Sequence, residues 1–297
     1  LSVTYTLLVN CKSNSSRAEN FIRLSEDIIR KKLPGCEIKY ISSPDQLLKE
    51  ASLSAQNSSA VIACGGDGTA QSIARGVHGS NALMGLIPVG SGNDFAKSIG
   101  LKTKKSIEYY LDVILKQQVI SVDVPVINDQ IFINTAGIGF DGLTNYYASG
   151  FKSLKGTMKY TFAGLKAFLN AKPFVVSGTI DGSSFNRKVW LIAVANGAVE
   201  GGKYLISPNS INSDRLLELV IVPAYNRLKL GLAFILLSLG RAIPDTFSEV
   251  ITFKEASLKI ADSHFIHLDG EIGESSSDYG IKLKSEYLNV LGIKSDE

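Results

Sequence analysis

Apolar residues in the first third of the chain alternate between short continuous runs and stretches of helical period. Residues 3–10 (VTYTLLVN) are β-branched and apolar and read as a strand; residues 17–32 set Phe21, Leu24, Ile28 and Ile29 on one helical face. A strand over 36–41, a helix after Pro44, the wholly apolar strand 60–64 (AVIAC), a helix after Gly68, a strand over 82–88 and a helix from Asn93 follow. Strand and helix in strict alternation predict a Rossmann-like parallel sheet with helices on both faces, and ligands at the carboxyl ends of its strands.

Beyond about residue 122 the pattern turns to frequent short strands, over 130–134, 174–180, 189–195, 217–222, 250–253, 257–260, 265–268 and 280–284. Turn signals at Asp181-Gly182 and Asp269-Gly270 favour antiparallel pairing, and helical stretches interrupt at 155–169 and 228–239. The expected organisation is an α/β domain over residues 1–122 and a mainly antiparallel β domain over 123–297.

Length and composition narrow the class. At roughly 150 residues per domain, 297 residues allow two domains with their own cores. Hydrophobic residues at 45% and charged residues at 20% exclude a disordered or collagenous chain. A formal charge of +3 gives no electrostatic reason to expect a nucleic-acid partner. Cys11, Cys36 and Cys64 form no C-x-x-C pair, so neither zinc nor redox chemistry is indicated and a reducing cytoplasm is expected. The longest uncharged apolar stretch, residues 230–240, falls short of the ~20 needed to cross a bilayer; it suits a buried helix or one lying at a membrane surface. No secretory signal opens the chain, and Leu1 in place of Met suggests a processed or trimmed start.

The densest chemistry sits in Cys64-Gly65-Gly66-Asp67-Gly68-Thr69, between the strand AVIAC and a helix. Glycines there let backbone N–H groups approach a polyphosphate, and Asp67 beside such anions implies a bridging Mg2+ or a water. A second loop, Pro88-Val89-Gly90-Ser91-Gly92-Asn93-Asp94-Phe95, again lies between strand and helix. Both loops would face one side of a parallel sheet.

Together these loops resemble the catalytic domain of the diacylglycerol kinase and sphingosine kinase superfamily, in particular its soluble bacterial lipid kinases. The GGDGT element is shared with NAD kinases and is similar to a 6-phosphofructokinase feature; the second loop is more specific. Asp123 in Ile120-Ser-Val-Asp-Val, residues 134–141 (NTAGIGFD), Asp214-Arg-Leu-Leu-Glu218, Asp269-Gly270-Glu271 and Tyr287-Leu-Asn-Val290 extend the resemblance along nearly the whole chain, in the family's order.

The resemblance implies an N-terminal ATP-binding domain and a C-terminal β-sandwich for the lipid, with the two substrates meeting in the cleft between them and residues 286–297 packed back on the first domain. It implies ATP contacts at Asn10, Ser13, Gly65, Gly66, Asp67, Gly68, Thr69, Ser91 and Asn93, with Ser42 as a looser match. Asp67, Asp94 and Asp123 then look like the acidic network that holds a catalytic Mg2+ through water. Asp214 looks like the ligand of a structural Mg2+, although Arg215 follows it where the family commonly has glycine. Asp269 and Glu271 look like the catalytic carboxylates; phosphoryl transfer to an alcohol needs one base, and the sequence leaves open which of them it is.

The implied activity is an ATP- and Mg2+-dependent lipid kinase, with diacylglycerol the first acceptor, a sphingoid base or other lipid alcohol the second, and a catalytically weak nucleotide- or lipid-binding protein the rival from another class. NAD kinase does not account for the second loop and the DGE element together. Peripheral, transient membrane contact is implied, and a homodimer is allowed. Departures from the family lie in the first loop, Asn10-Cys11-Lys12-Ser13-Asn14-Ser15-Ser16, which lacks two glycines, and in Gln71-Ser72 where relatives usually have Asn-Glu. His264 and His267 are three apart, which on a strand points them to opposite faces, so they are read as ordinary strand residues. Lys102, Lys104 and Lys105 read as a solvated cluster, and His78 has no evident partner.

Overall fold

The computed structural model describes residues 3–13, 16–151, 156–224, 226–261 and 264–293. Two compact units emerge: Leu1–Val122 with Ser285–Glu297, and Asp123–Lys284.

The first unit runs β1 (Tyr5–Asn10), α1 (Arg17–Arg23), α2 (Glu26–Lys32), β2 (Glu37–Ile41), α3 (Pro44–Asn57), β3 (Ala60–Gly65), α4 (Asp67–Val77), β4 (Leu83–Pro88), α5 (Asp94–Ser98), α6 (Ile107–Leu115) and β5 (Val119–Val122). The strands β2-β1-β3-β4 are parallel, and the chain's final strand, Leu288–Leu291, lies between β4 and β5. Leu7, Leu8, Val9, Val61, Ile62, Ala63, Cys64 and Ile87 are almost wholly buried, as expected of strands covered on both faces. The registers Val9↔Cys64 and Gly65↔Pro88 bring the carboxyl ends of β1, β3 and β4 side by side, so the three loops that follow share one edge.

The second unit contains β6 (Pro125–Ile127), β7 (Gln130–Ile131), β8 (Thr135–Gly139), α7 (Phe140–Gly150), α8 (Gly156–Asn170), β9 (Phe174–Ile180), β10 (Ser183–Ala195), β11 (Val199–Glu200), β12 (Tyr204–Leu205), β13 (Leu217–Pro223), α9 (Arg227–Ser238), β14 (Glu249–Phe253), β15 (Glu255–Ile260), β16 (Ile266–Leu268), β17 (Glu271–Ile272) and β18 (Asp278–Leu283). Its main sheet is antiparallel, in the order β17-β16-β8-β10-β9-β15-β18-β6-β7, with β13 joining β10 to β14. Phe132, Phe253, Leu258 and Tyr279 anchor its core. The expected fold class, a parallel α/β unit followed by an antiparallel β unit, is the one observed.

Several local expectations change. The single helix over 17–32 is two: the Ser25 hydroxyl donates to the Phe21 carbonyl at 2.8 Å, and Leu24, expected on the buried face, is 88% exposed. The sequence reading missed α6, α7 and β8. The last is a strand in spite of Gly137 and Gly139, because β10 and β16 pair with it on either side.

Candidate active site

In the first unit the two glycine loops cross. A Cβ on Gly90 would lie 2.5 Å from the Gly66 Cα and 2.7 Å from Asn93 Oδ1, so only glycine lets these backbones pass. Asp67, in the first turn of α4, fastens the crossing: its carboxylate accepts from the backbone N–H groups of Asn93 (2.7 Å), Asp94 (2.6 Å) and Phe95 (3.3 Å). Asn93 takes the left-handed conformation (φ 56°) and its Nδ2 donates to the Gly90 carbonyl. Asn10 Nδ2 donates to Thr69 Oγ1 at 2.9 Å, which ties the first loop to the GGDGT loop. Ser13 Oγ lies 3.9 Å from the position of a Gly66 Cβ, and Ser91 is exposed on the loop after β4. Ser42 is exposed as well.

Burial, followed by the neighbouring Asp94 charge, raises the Asp67 carboxyl above the ordinary carboxylate range. Asp94 is itself buried and pairs with Lys97 at 2.9 Å. Among the described residues, Asn93 Oδ1 is buried without a hydrogen-bond partner. Two crowded carboxylates beside an unpaired amide oxygen form an oxygen-donor set that fits a hard divalent cation keeping several waters. The first turn of α4 has no side-chain cap, so its N–H groups are available to an anion.

The altered positions keep the backbone that the resemblance leads one to expect. Ser16, where relatives have glycine, adopts φ 67°; Asn14 lies outside the described residues. Gln71 is buried in α4 and the Ser72 hydroxyl donates to the Gly68 carbonyl.

In the second unit Asp123 is fully buried. It accepts the Arg215 N–H at 2.7 Å on one oxygen and the Arg215 guanidinium at 3.2 Å on the other, while that guanidinium also donates to the Lys284 carbonyl. Burial still leaves the Asp123 carboxyl above its usual range, against the pull of Arg215. Arg215 sits at φ 64°, which explains why glycine suits this position. Asp214 is exposed and accepts the Leu216 N–H.

Asp269 and Gly270 (φ 51° and 85°) form the two-residue turn between β16 and β17, closed by the Leu268↔Glu271 pair. Asp269 does not face outward like an ordinary Asp-Gly turn. Its oxygens accept the N–H groups of Ile133 (2.8 Å), Asn134 (2.8 Å) and Thr135 (3.0 Å), and its own N–H donates to the Thr135 carbonyl. Glu271, on the short edge strand, reaches solvent, yet enough protein crowds it that partial desolvation raises its carboxyl, opposed by Lys159.

His264 lies before β16 and not on a strand, and His267 is no ordinary strand residue. It is completely buried, with Nε2 at 2.9 Å from Asp141 Oδ2 and 3.2 Å from Glu200 Oε1. Sequence reasoning missed this cluster, whose members come from β16, α7 and β11. Burial pulls the imidazole's proton affinity down, while the Glu200, Asp141 and Asp269 carboxylates pull it up. His264 instead packs its ring against Phe174.

Two family models match the chain: the diacylglycerol kinase catalytic domain over residues 4–127, and the YegS C-terminal NAD kinase beta sandwich-like domain over residues 134–291. A Pseudomonas fluorescens (strain Pf0-1) protein named "Probable lipid kinase YegS-like" is 31% identical over 224 residues, 73% of this chain and 70% of that one. The chain belongs to the diacylglycerol kinase and YegS-like lipid kinase family. The diacylglycerol kinase of Bacillus subtilis (strain 168) is 27% identical over 77% of this chain and 74% of its own. In fold, the family member solved as a diacylglycerol kinase of Bacillus anthracis str. Sterne superposes with a TM-score of 0.74 at 20% identity, over 98% of this chain and 97% of that one. An NAD kinase of Archaeoglobus fulgidus, solved in complex with ATP, reaches 0.52 at 14% identity over 97% and 93%. No described helix is long and apolar enough to cross a membrane.

Proposed function

We propose that the chain is an ATP- and Mg2+-dependent lipid kinase that phosphorylates a lipid alcohol, diacylglycerol first. The observation that carries this reading is the loop crossing held by Asp67, which offers an uncapped helix start and glycine backbone for phosphate beside two carboxylates for a metal. Asn10, Ser13, Gly65, Gly66, Gly68, Thr69, Ser91 and Asn93 are its ATP-side groups. Mg2+ would be held by Asp67 and Asp94 largely through water, where it would neutralise charge on the transferring phosphoryl group. Asp123 fits that role less well, because Arg215 already engages both of its oxygens. Asp214 is carried as a ligand for a structural Mg2+, with its exposed carboxylate facing solvent.

Glu271 is our general base. Three N–H donors hold the Asp269 carboxylate in place, whereas Glu271 is solvent-reachable and partial desolvation raises its carboxyl, which strengthens it as a base. Glu271 takes the proton of the lipid hydroxyl as its oxygen attacks the γ-phosphorus and the bond to the ADP oxygen breaks. Asp269 shapes the turn that presents Glu271.

The acceptor would arrive from a membrane surface by way of α8 and α9. These helices pack reciprocally: a Cβ on Gly164 would strike the Phe234 ring, and one on Gly231 would press the Phe168 ring. Each shows solvent an apolar stripe, Met158, Phe162, Leu165 and Leu169 on α8 and Leu228, Leu232 and Ile235 on α9, continued by Leu239 at its C-cap. The sequence has five lysines and no acid between Asp141 and Asp181, and Arg227, Lys229 and Arg241 with no acid between Glu218 and Asp245. Eight cations here against +3 for the whole chain make anionic lipid the complementary partner. Incubation with labelled ATP and a panel of lipid alcohols in phosphatidylglycerol vesicles should label phosphatidic acid; label in none of the lipids would overturn the reading.

A further inference from the structure

The Asp141–Glu200–His267 cluster lies outside the loops and carboxylates used above, yet it adjoins the Asp-Gly-Glu turn. Three elements contribute one residue each, and the backbone makes room for them: a Cβ on Gly137 of β8 would lie 2.1 Å from Asp141 Oδ2 and 2.5 Å from His267 Nε2. Two carboxylates against a fully buried imidazole are a costly way to fill a β-sheet, since apolar residues of similar volume would serve stability as well or better. The ring has a second contact. The Gly270 N–H donates to His267 Nδ1 at 3.3 Å, and Gly270 is the middle residue of the turn that presents Glu271.

That contact also argues against a metal. These three residues form a group of the size and kind that could ligate an ion. However, an imidazole bound to metal through Nε2 ordinarily carries its proton on Nδ1, and that proton would point at the Gly270 N–H. With Nδ1 as acceptor for the Gly270 N–H the ring is the neutral Nε2–H tautomer, and Nε2–H donates to the carboxylates, which matches the short distances there.

We propose that His267 is a positioning residue of the phosphoryl-transfer site. Asp141 and Glu200 orient the ring from α7 and β11; the ring, through Nδ1, holds the Gly270 amide; and the turn so held sets the direction of Glu271. Asp269 pins the other side of the same turn to residues 133–135, so the two-residue loop is gripped from both flanks. This proposal rests on Glu271 as the base.

Two substitutions separate the ring's two functions. His267→Asn can keep an acceptor near Nδ1 and loses the reach to the carboxylates; His267→Gln keeps a donor near Nε2 and loses the acceptor for Gly270. Since misplacing a reacting group by about 1 Å can cost ~10²-fold, His267→Gln should lower kcat about 10- to 100-fold with the KM for ATP unchanged and the acid limb of the pH profile displaced. His267→Asn should keep more of the activity. Hydrogen exchange at the Gly270 amide, read in the full chain without substrate, should be slow in the wild type and in Glu271→Gln, and fast in His267→Gln. Equal losses in both His267 variants with an unmoved pH limb, or wild-type kcat in a folded His267→Gln, would overturn the proposal. Full activity of Glu271→Gln would remove the base reading instead, and the exchange measurement would still report whether the ring holds the turn.

Discussion

Asp67 in the first unit and Asp269 in the second do the same local work. Each follows a strand, lies next to glycine, and accepts three consecutive backbone N–H groups from another loop, 93–95 in one case and 133–135 in the other. They differ in what stands beside them. Asp67 has a second buried carboxylate, Asp94, at the same crossing; Asp269 has a solvent-reachable one, Glu271, two residues on. An aspartate embedded in backbone donors is a structural rivet whatever else it does, and it fixes the acid next to it in place. A loss of activity on mutating the rivet therefore says little about proton or metal chemistry unless stability is measured as well.

The largest expected effect tests that division directly. Glu271→Gln should lower kcat about 10²- to 10⁴-fold with Tm and ATP affinity unchanged, while Asp269→Asn should lower kcat and Tm together. A fully stable Asp269→Asn protein would break the comparison. Next, Asp94→Asn should raise the Mg2+ concentration needed for half-maximal rate while the fold survives. Asp67→Asn should cost about 1.5–3 kcal/mol in urea unfolding, the worth of a charge-assisted hydrogen bond, because an amide cannot serve all three donors.

The acidity of Glu271 sharpens the contrast. Its carboxyl is raised by partial desolvation, so it is protonated, and useless as a base, up to a higher pH than an ordinary glutamate. Activity should climb as pH rises through that raised value, and Gln at 271 should flatten the climb; an acid limb that persists in Glu271→Gln belongs to another group. The smallest effect concerns α8. Lys166→Ala should weaken sedimentation with phosphatidylglycerol vesicles by about 1 kcal/mol, roughly fivefold at low salt, and leave turnover on detergent-dispersed lipid unchanged.

The glycine loops of the first unit and the carboxylate clusters of the second were unequally legible. Gly65–Thr69 and residues 88–95 are local signals, a strand, a glycine turn and a helix start in sequence, and they stand at neighbouring strand ends as the pattern implied. The fastening of one loop to the other by Asp67 was not legible, because hydrogen bonds across the crossing leave no spacing rule. Even less so was His267: Asp141 is 126 positions away, and the rule that residues three apart diverge on a strand does not apply, because His264 lies outside β16. Leu24 shows the opposite failure, a good helical period cut short by one serine hydroxyl. Ser16, in the first loop that lacks two glycines, and Arg215, where the family commonly has glycine, both keep left-handed backbone. At about 1 kcal/mol, the cost of such a conformation for an ordinary residue is small enough for a folded loop to carry.

The last strand of the chain, Leu288–Leu291, lies between β4 and β5. Residues 1–284 hold all of the second unit but lack the strand that pairs with both β4 and β5 in the first. Leu288–Leu291 fill that place. The sheet that carries the two glycine loops is therefore completed by residues that come after the whole of the second unit in the sequence.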